Sequence, residues 1–185
     1  MTAHLDAEDR KALGGIARAA LAAALKDEPY APADPGRAGL ERRSGCFVTL
    51  KTDGQLRGCL GCFESGLPLW QTVAEYAELS ARHDPRFTHN RLKPADLDRV
   101  EMDISALTPL EPCSDPEKIV LGTHGIYVRK NGRSGCFLPQ VATETGWNVE
   151  EFWGHCCRDK AGLEWNSWRE PQTLLKIFTA EVFDC

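Results

Sequence analysis

The sequence has no apolar run approaching the ~20 residues needed to cross a bilayer, and no basic segment followed by an apolar stretch at its amino terminus. A membrane span and a secretory signal are therefore not expected, and a cytoplasmic protein is. There is no Walker loop, Rossmann glycine pattern or HExxH helix, which removes the enzyme classes built on those motifs. Basic residues are scattered and outnumbered, 22 Lys and Arg against 27 Asp and Glu, giving a formal charge of −5. A general nucleic-acid binder carries the opposite balance, so no nucleic-acid partner is expected. A second C-x-x-C is also missing, and without one Cys59-x-x-Cys62 is an incomplete zinc site. No resident metal or other cofactor is expected.

What is present describes one globular domain spanning residues 1–185. At this length roughly 70% of the unfolded surface can be buried, so no metal or disulfide staple is required. The apolar share of 42% and charged share of 26% suit a folded protein. Eight cysteines in a chain of this length and compartment are expected to stay reduced. Cys156 and Cys157 are adjacent on a helix, point in different directions and are not expected to pair.

Hydrophobic spacing predicts a first helix over about residues 6–27, with Asp6 as N-cap and Leu13, Ile16, Ala17, Ala20, Leu21, Ala24 and Leu25 on one face. Cys46 to Leu50 and Gln55 to Leu60 read as strands joined by the Asp53-Gly54 turn. Pro68 opens a second helix, which ends before His83-Asp84-Pro85 because the residue preceding proline avoids helical geometry. Val100, Met102, Ile104 and Ala106 alternate with polar residues as in a half-buried strand. Ile126 to Arg129 and Cys136 to Leu138, around Asn131-Gly132, form a second hairpin. A helical stretch around Val149 to Cys156 ends at Gly162, and Leu174 to Phe183 reads as one closing strand. Hairpins outnumber strand–helix–strand units, which predicts an α+β fold with a mainly antiparallel sheet and flanking helices. Both hairpins are expected to be antiparallel and to lie in one domain.

Chemistry concentrates at Leu56-Arg57-Gly58-Cys59-Leu60-Gly61. Glycines at 58 and 61 permit close backbone approach and can leave amide N–H groups facing an anion. Arg57 would favour a thiolate and could bind a carboxylate or phosphate. Cys59 is therefore a candidate nucleophile, with a small core residue as the alternative reading. His83, with Asp84 orienting it, and His124 are candidate general bases. The Asp84–Arg86 segment reads otherwise as a helix cap and loop anchor, with Arg86 a candidate anion-binding residue. His155 reads as a surface or packing residue. Gly-Cys-Phe recurs at residues 45–47, 61–63 and 135–137, the outer two extending to Arg-Ser-Gly-Cys-Phe. No wider similarity surrounds them, so they are read as coincidental rather than as a repeat.

These residues resemble a known family. Leu56 to Gly61 matches the Leu-Arg-Gly-Cys-Ile-Gly signature of the AMMECR domain, with Leu60 in place of isoleucine. Asp84-Pro85-Arg86-Phe87, Gly125-Ile126, Phe137-Leu138-Pro139-Gln140-Val141, Gly146-Trp147 and Lys160-Ala161-Gly162-Leu163 are similar to family segments in the same order, so the likeness spans about residues 10–183. The resemblance implies an α+β fold with a larger and a smaller lobe around a cleft. It also implies the company of a radical SAM protein and a Memo-like protein, as in the bacterial AmmeMemoRadiSam system. Two functions follow as expectations. One is a cysteine-dependent enzyme acting on a small molecule or peptide. The other is a noncatalytic ligand-binding or adaptor module using the same cleft.

Overall fold

A computed structural model describes residues 4–185. The chain divides into two compact units, one made of residues up to 109 with 181–185, the other of residues 110–180. The fold is α+β, with two antiparallel sheets and flanking helices. No helix among the described residues is long and apolar enough to cross a membrane.

The first unit begins with helix α1, Ala7–Leu25. Asp6 caps it, accepting the Asp9 N–H at 2.7 Å while the Asp9 carboxylate accepts the Asp6 N–H at 3.2 Å. Leu13, Ala17, Ala20, Leu21, Ala24 and Leu25 are buried, as their spacing predicts. Strands β1 (Cys46–Thr52) and β2 (Gln55–Cys62) form the first hairpin. Asp53 (φ 53°) and Gly54 (φ 72°) both take left-handed backbone at its two-residue turn, which follows the right-handed strand twist. Helix α2, Leu69–Arg82, stops at His83 as the following Asp84-Pro85 requires. Strand β3, Val100–Leu107, completes the run predicted from alternation.

One face of this sheet is apolar. Cys46, Val48 and Leu50 of β1 and Met102, Ile104 and Ala106 of β3 share a buried cluster with α1 and α2. Strand alternation sends Phe47, Thr49 and Lys51 of β1 to the opposite, half-buried face, across from Ser105, Asp103 and Glu101 of β3.

In the second unit the short strand β4 (Glu111–Pro112) is followed by β5 (Gly125–Lys130) and β6 (Arg133–Phe137). Asn131 (φ 50°) and Gly132 (φ 77°) make the same kind of turn as in the first hairpin. Helix α3, Pro139–Thr145, was not expected from the sequence. Pro139 starts it and Gly146 (φ 70°) ends it. Helix α4, Val149–His155, runs into a π-helical turn over Cys156–Lys160, which closes at Gly162 (φ 64°). Ile126, Val128, Phe152, Trp153 and Trp168 form the core. His155 packs as expected: its ring stacks on Trp147 at 3.9 Å and its Nδ1 donates to Asp159 at 2.6 Å.

One expectation is corrected. The closing segment is two strands, β7 (Leu174–Phe178) and β8 (Ala180–Asp184), and they belong to different sheets. The sheet orders are β2-β1-β3-β8 and β4-β7-β5-β6. Phe178 and Phe183 are both buried although they stand five positions apart, an odd offset that the two-residue period of a single strand does not allow. Both hairpins are antiparallel, as expected, one in each compact unit.

Candidate functional site

Pairing of β1 with β2 decides where each motif residue goes. Cys46↔Cys62 through Leu50↔Gly58 follow one register, and Lys51↔Leu56 and Thr52↔Gln55 follow another, so Arg57 is the extra residue of a β-bulge. The bulge turns its side chain away from Cys59. Arg57 donates to Thr52 Oγ1 at 2.8 Å and to the Asn90 carbonyl at 3.3 Å, and lies 4.0 Å from Asp96. It is only 13% exposed. The hydrogen bonds of Arg57 anchor the loop after α2.

The two glycines serve close packing. A Cβ on Gly58 would lie 2.1 Å from the Ser80 carbonyl oxygen of α2. A Cβ on Gly61 would lie 2.2 Å from the Cys46 carbonyl and 2.4 Å from the Phe47 ring. The amides beside Gly58 are occupied: Cys59 N–H donates to Asp84 Oδ2 at 2.9 Å, and Leu60 N–H donates to Ser80 Oγ at 2.9 Å. Ser80 Oγ in turn donates to the Val48 carbonyl at 2.8 Å, tying α2 to both strands. These two amides are therefore not free to meet an anion.

Asp84 orients an arginine, not a histidine. Its carboxylate is 3% exposed and caps the 3-10 turn Pro85–Phe87, accepting the Arg86 N–H at 3.1 Å. It also accepts Arg86 Nε at 3.0 Å and Nη2 at 2.7 Å, a two-point clamp on the guanidinium. Those hydrogen bonds, foremost the ones from the Arg86 side chain, hold the Asp84 carboxyl down to about 2. Arg86 Nη2 donates further to the Cys59 carbonyl at 2.9 Å. Arg86 remains 55% exposed, and its Nη1 has no hydrogen-bond partner among the described residues. The Cys59 thiol is half-buried and accepts a hydrogen bond from Thr49 Oγ1 at 3.3 Å.

Of the residues singled out from the sequence, Cys59, Asp84 and Arg86 come together with Gly58 beside them, joined by Thr49, while Gly61 packs against Cys46 and Phe47. The histidines do not complete a Cys-His pair within this cluster. His83 is the exposed C-cap of α2, its N–H bonded to the Leu79 carbonyl at 2.8 Å, with no hydrogen bond to Cys59. His124 belongs to the second unit, where its Nδ1 accepts the Val120 N–H at 2.9 Å and closes a turn. Thr49 was missed. A hairpin register drawn from the Asp53-Gly54 turn brings it near Cys59, but the bulge decides the pairing and carries no sequence signal of its own.

The C-x-x-C spacing is resolved by strand geometry. Cys59 pairs with Thr49 on the polar face and Cys62 pairs with Cys46 on the buried face, so the two thiols leave the strand in opposite directions. Among the described residues no group of three or more His, Cys, Asp or Glu side chains converges as a metal site would require. A separate cavity of about 600 Å³ in the first unit lies between α1 and the end of β8, lined by Arg10, Lys11, Gly14, Arg18 and Phe183. It shares no residue with the Cys59 cluster.

The antiparallel α+β fold, with a bulged hairpin clamped by an Asp–Arg turn, defines the class of domain. The AMMECR1 family model matches residues 14–183. Protein NEQ441 of Nanoarchaeum equitans is 37% identical over 93% of this chain and 98% of its own length. Protein MK0488 of Methanopyrus kandleri is 38% identical over 100% of this chain and 92% of its own. A crystal structure of the uncharacterized protein PH0010 from Pyrococcus horikoshii superposes with a TM-score of 0.83 at 36% identity, covering 93% of this chain and 89% of that one. The chain belongs to the AMMECR1 family.

Proposed function

We propose that this chain is a ligand-binding module whose site is the Cys59–Asp84–Arg86 cluster and whose ligand carries a carboxylate or phosphate. The observation that carries this reading is the Asp84 clamp. It fixes the Arg86 guanidinium through Nε and Nη2 while the rest of the group faces outward. A pre-oriented arginine loses little freedom when it meets a planar or tetrahedral anion. Thr49 Oγ1 and the Cys59 thiol would supply the neighbouring polar contacts.

A cysteine-dependent reaction on a small molecule or peptide is the second reading. The Arg86 guanidinium held on the Cys59 carbonyl favours it. The absence of a hydrogen-bonded base in the cluster counts against a Cys-His mechanism. The radical SAM and Memo-like proteins implied by the family resemblance are the first partners to test under either reading.

Inorganic phosphate and acetate, titrated separately into the folded protein, test the first reading by side-chain NMR. The Arg86 Nε–H and Cys59 amide signals should move together and saturate. Arg86→Lys should remove the response while His83→Ala leaves it intact. If the signals of Arg10 and Arg18 move and those of Arg86 do not, the anion site lies in the α1–β8 cavity and this assignment is wrong.

A further inference from the structure

Two of the three Gly-Cys-Phe segments meet in the first hairpin. Cys46 of β1 is the register partner of Cys62 of β2. Residues directly opposed in an antiparallel ladder have Cα atoms about 4.5 or 5.5 Å apart, depending on the hydrogen-bonding phase. Both distances fall inside the roughly 4.4–6.8 Å window of disulfides. Opposed side chains also leave the sheet on the same face, here the face covered by α2.

The surroundings are those of a close thiol pair. Cys46 is fully buried and Cys62 half-buried. Tyr76 of α2 lies near Cys62, and its hydroxyl is pushed up to about 12, by burial first and then by the Cys62 thiol. Burial first, then the nearby Cys62 and Glu75, push the Cys46 thiol well above its ordinary range. An oxidant from solution therefore meets Cys62 before it meets Cys46.

We propose that Cys46 and Cys62 form a dithiol oxidation site that closes to a cross-strand disulfide by exchange with a low-molecular-weight disulfide. The Cys62 thiolate attacks one sulfur of that disulfide, forming a mixed disulfide and releasing one thiolate. Deprotonated Cys46 then attacks the Cys62 sulfur, closing the cross-strand bond and releasing the second thiolate. The two leaving thiolates take up the two protons that the cysteines lose. The protein dithiol is oxidised and the small disulfide is reduced to two thiols. The site is independent of Cys59, which leaves β2 on the other face. Cys59-x-x-Cys62 suggests a redox pair by spacing, but the partner of Cys62 stands across the hairpin.

The test uses the whole chain, reduced and then equilibrated in glutathione buffers of rising oxidised fraction, acid-quenched, alkylated and mapped without reduction. Intrinsic tryptophan fluorescence reports that the protein stays folded. The Cys46–Cys62 link should exceed any other linkage by about tenfold and disappear when reduced glutathione is restored. Because Cys46 gives up its proton reluctantly, the Cys62–glutathione adduct should precede the link, and conversion should speed up as pH rises. Cys46→Ser should stop at that adduct, and Cys46→Ala repeats the test if the serine variant fails to fold. The proposal is overturned if the wild-type adduct persists unconverted, if another pair links equally well, or if the link forms only in denaturant.

Discussion

The two hairpins carry one local pattern in two settings. Both close on a left-handed two-residue turn, and both place a Gly-Cys pair where a helical segment presses on the strand. A Cβ on Gly58 would meet the Ser80 carbonyl oxygen at 2.1 Å, and one on Gly135 would meet the Ala161 nitrogen at 2.6 Å. The ladders differ. The β5–β6 register is unbroken, whereas β1–β2 slips between Leu50 and Lys51 and throws Arg57 outward as an anchor. The cysteines differ accordingly. Cys136 lies against Cys156 and Lys160, and burial pushes its thiol up to about 11. Cys59 is half-buried beneath an exposed arginine. A Gly-Cys pair is thus a packing device in both hairpins, and what packs around it decides how deeply the thiol is buried.

The largest effect should come from breaking the shared device. Gly58→Ala forces a methyl into a backbone carbonyl that α2 cannot move cheaply, and should cost about 3 kcal/mol. Gly135→Ala meets a slightly more distant backbone atom and the flexible Lys160 side chain, and should cost less. Chemical denaturation of both variants checks the order. Equal costs would mean that the two glycines are interchangeable and that the tighter approach of α2 carries no extra stability.

Thiol reactivity sharpens the contrast next. Cys136, raised from an ordinary value of 9.0 to about 11, should hold about a hundredfold less thiolate at neutral pH than an ordinary cysteine. Burial likewise raises Cys46, Cys113, Cys156, Cys157 and Cys185. Limiting iodoacetamide, read by peptide mass spectrometry, should therefore label Cys59 and Cys62 ahead of these six. Labelling of Cys136 at the rate of Cys59 would erase the distinction between the hairpins.

Features that depend on neighbours in sequence were legible before the fold was known. The Asp6 cap, the apolar stripe of α1, the stop of α2 before Pro85 and both hairpin turns are local signals, and each stands where expected. Features set by tertiary register were not. No glycine or proline marks the break at Thr179, because separate partner strands for β7 and β8 make it. Arg57 reads as the cation beside Cys59 by adjacency, yet the bulge sends it to Thr52 and Asn90, while Arg86 arrives from the far end of α2. The opposed directions of Cys59 and Cys62 were not legible either: the expected strand stopped at Leu60, and it is the observed strand through Cys62 that sets residues three apart on opposite faces.

The smallest effect isolates the clamp that only the first hairpin has. Asp84 is ionised down to about 2 in the folded protein against an ordinary 3.8, so its depressed value contributes stability that is present above pH 4 and lost as pH falls towards 2. The difference corresponds to about 2 kcal/mol at neutral pH. Asp84→Asn keeps the size of the side chain but removes the charge that holds Arg86. Its stability deficit should be about 2 kcal/mol at pH 7, shrink through pH 4 and vanish near pH 2, where wild-type Asp84 is itself becoming protonated. Urea denaturation at several pH values measures that convergence. A deficit that stays constant with pH would assign the loss to misplaced hydrogen bonds at the Cys59 and Arg86 amides rather than to the Asp84–Arg86 charge. The anion titration separates the consequences further: with the fold intact but the guanidinium unclamped, phosphate should bind more weakly to Asp84→Asn than to wild type. Unchanged binding would show that Arg86 needs no orientation and would leave the clamp as a stabilising feature of the turn alone.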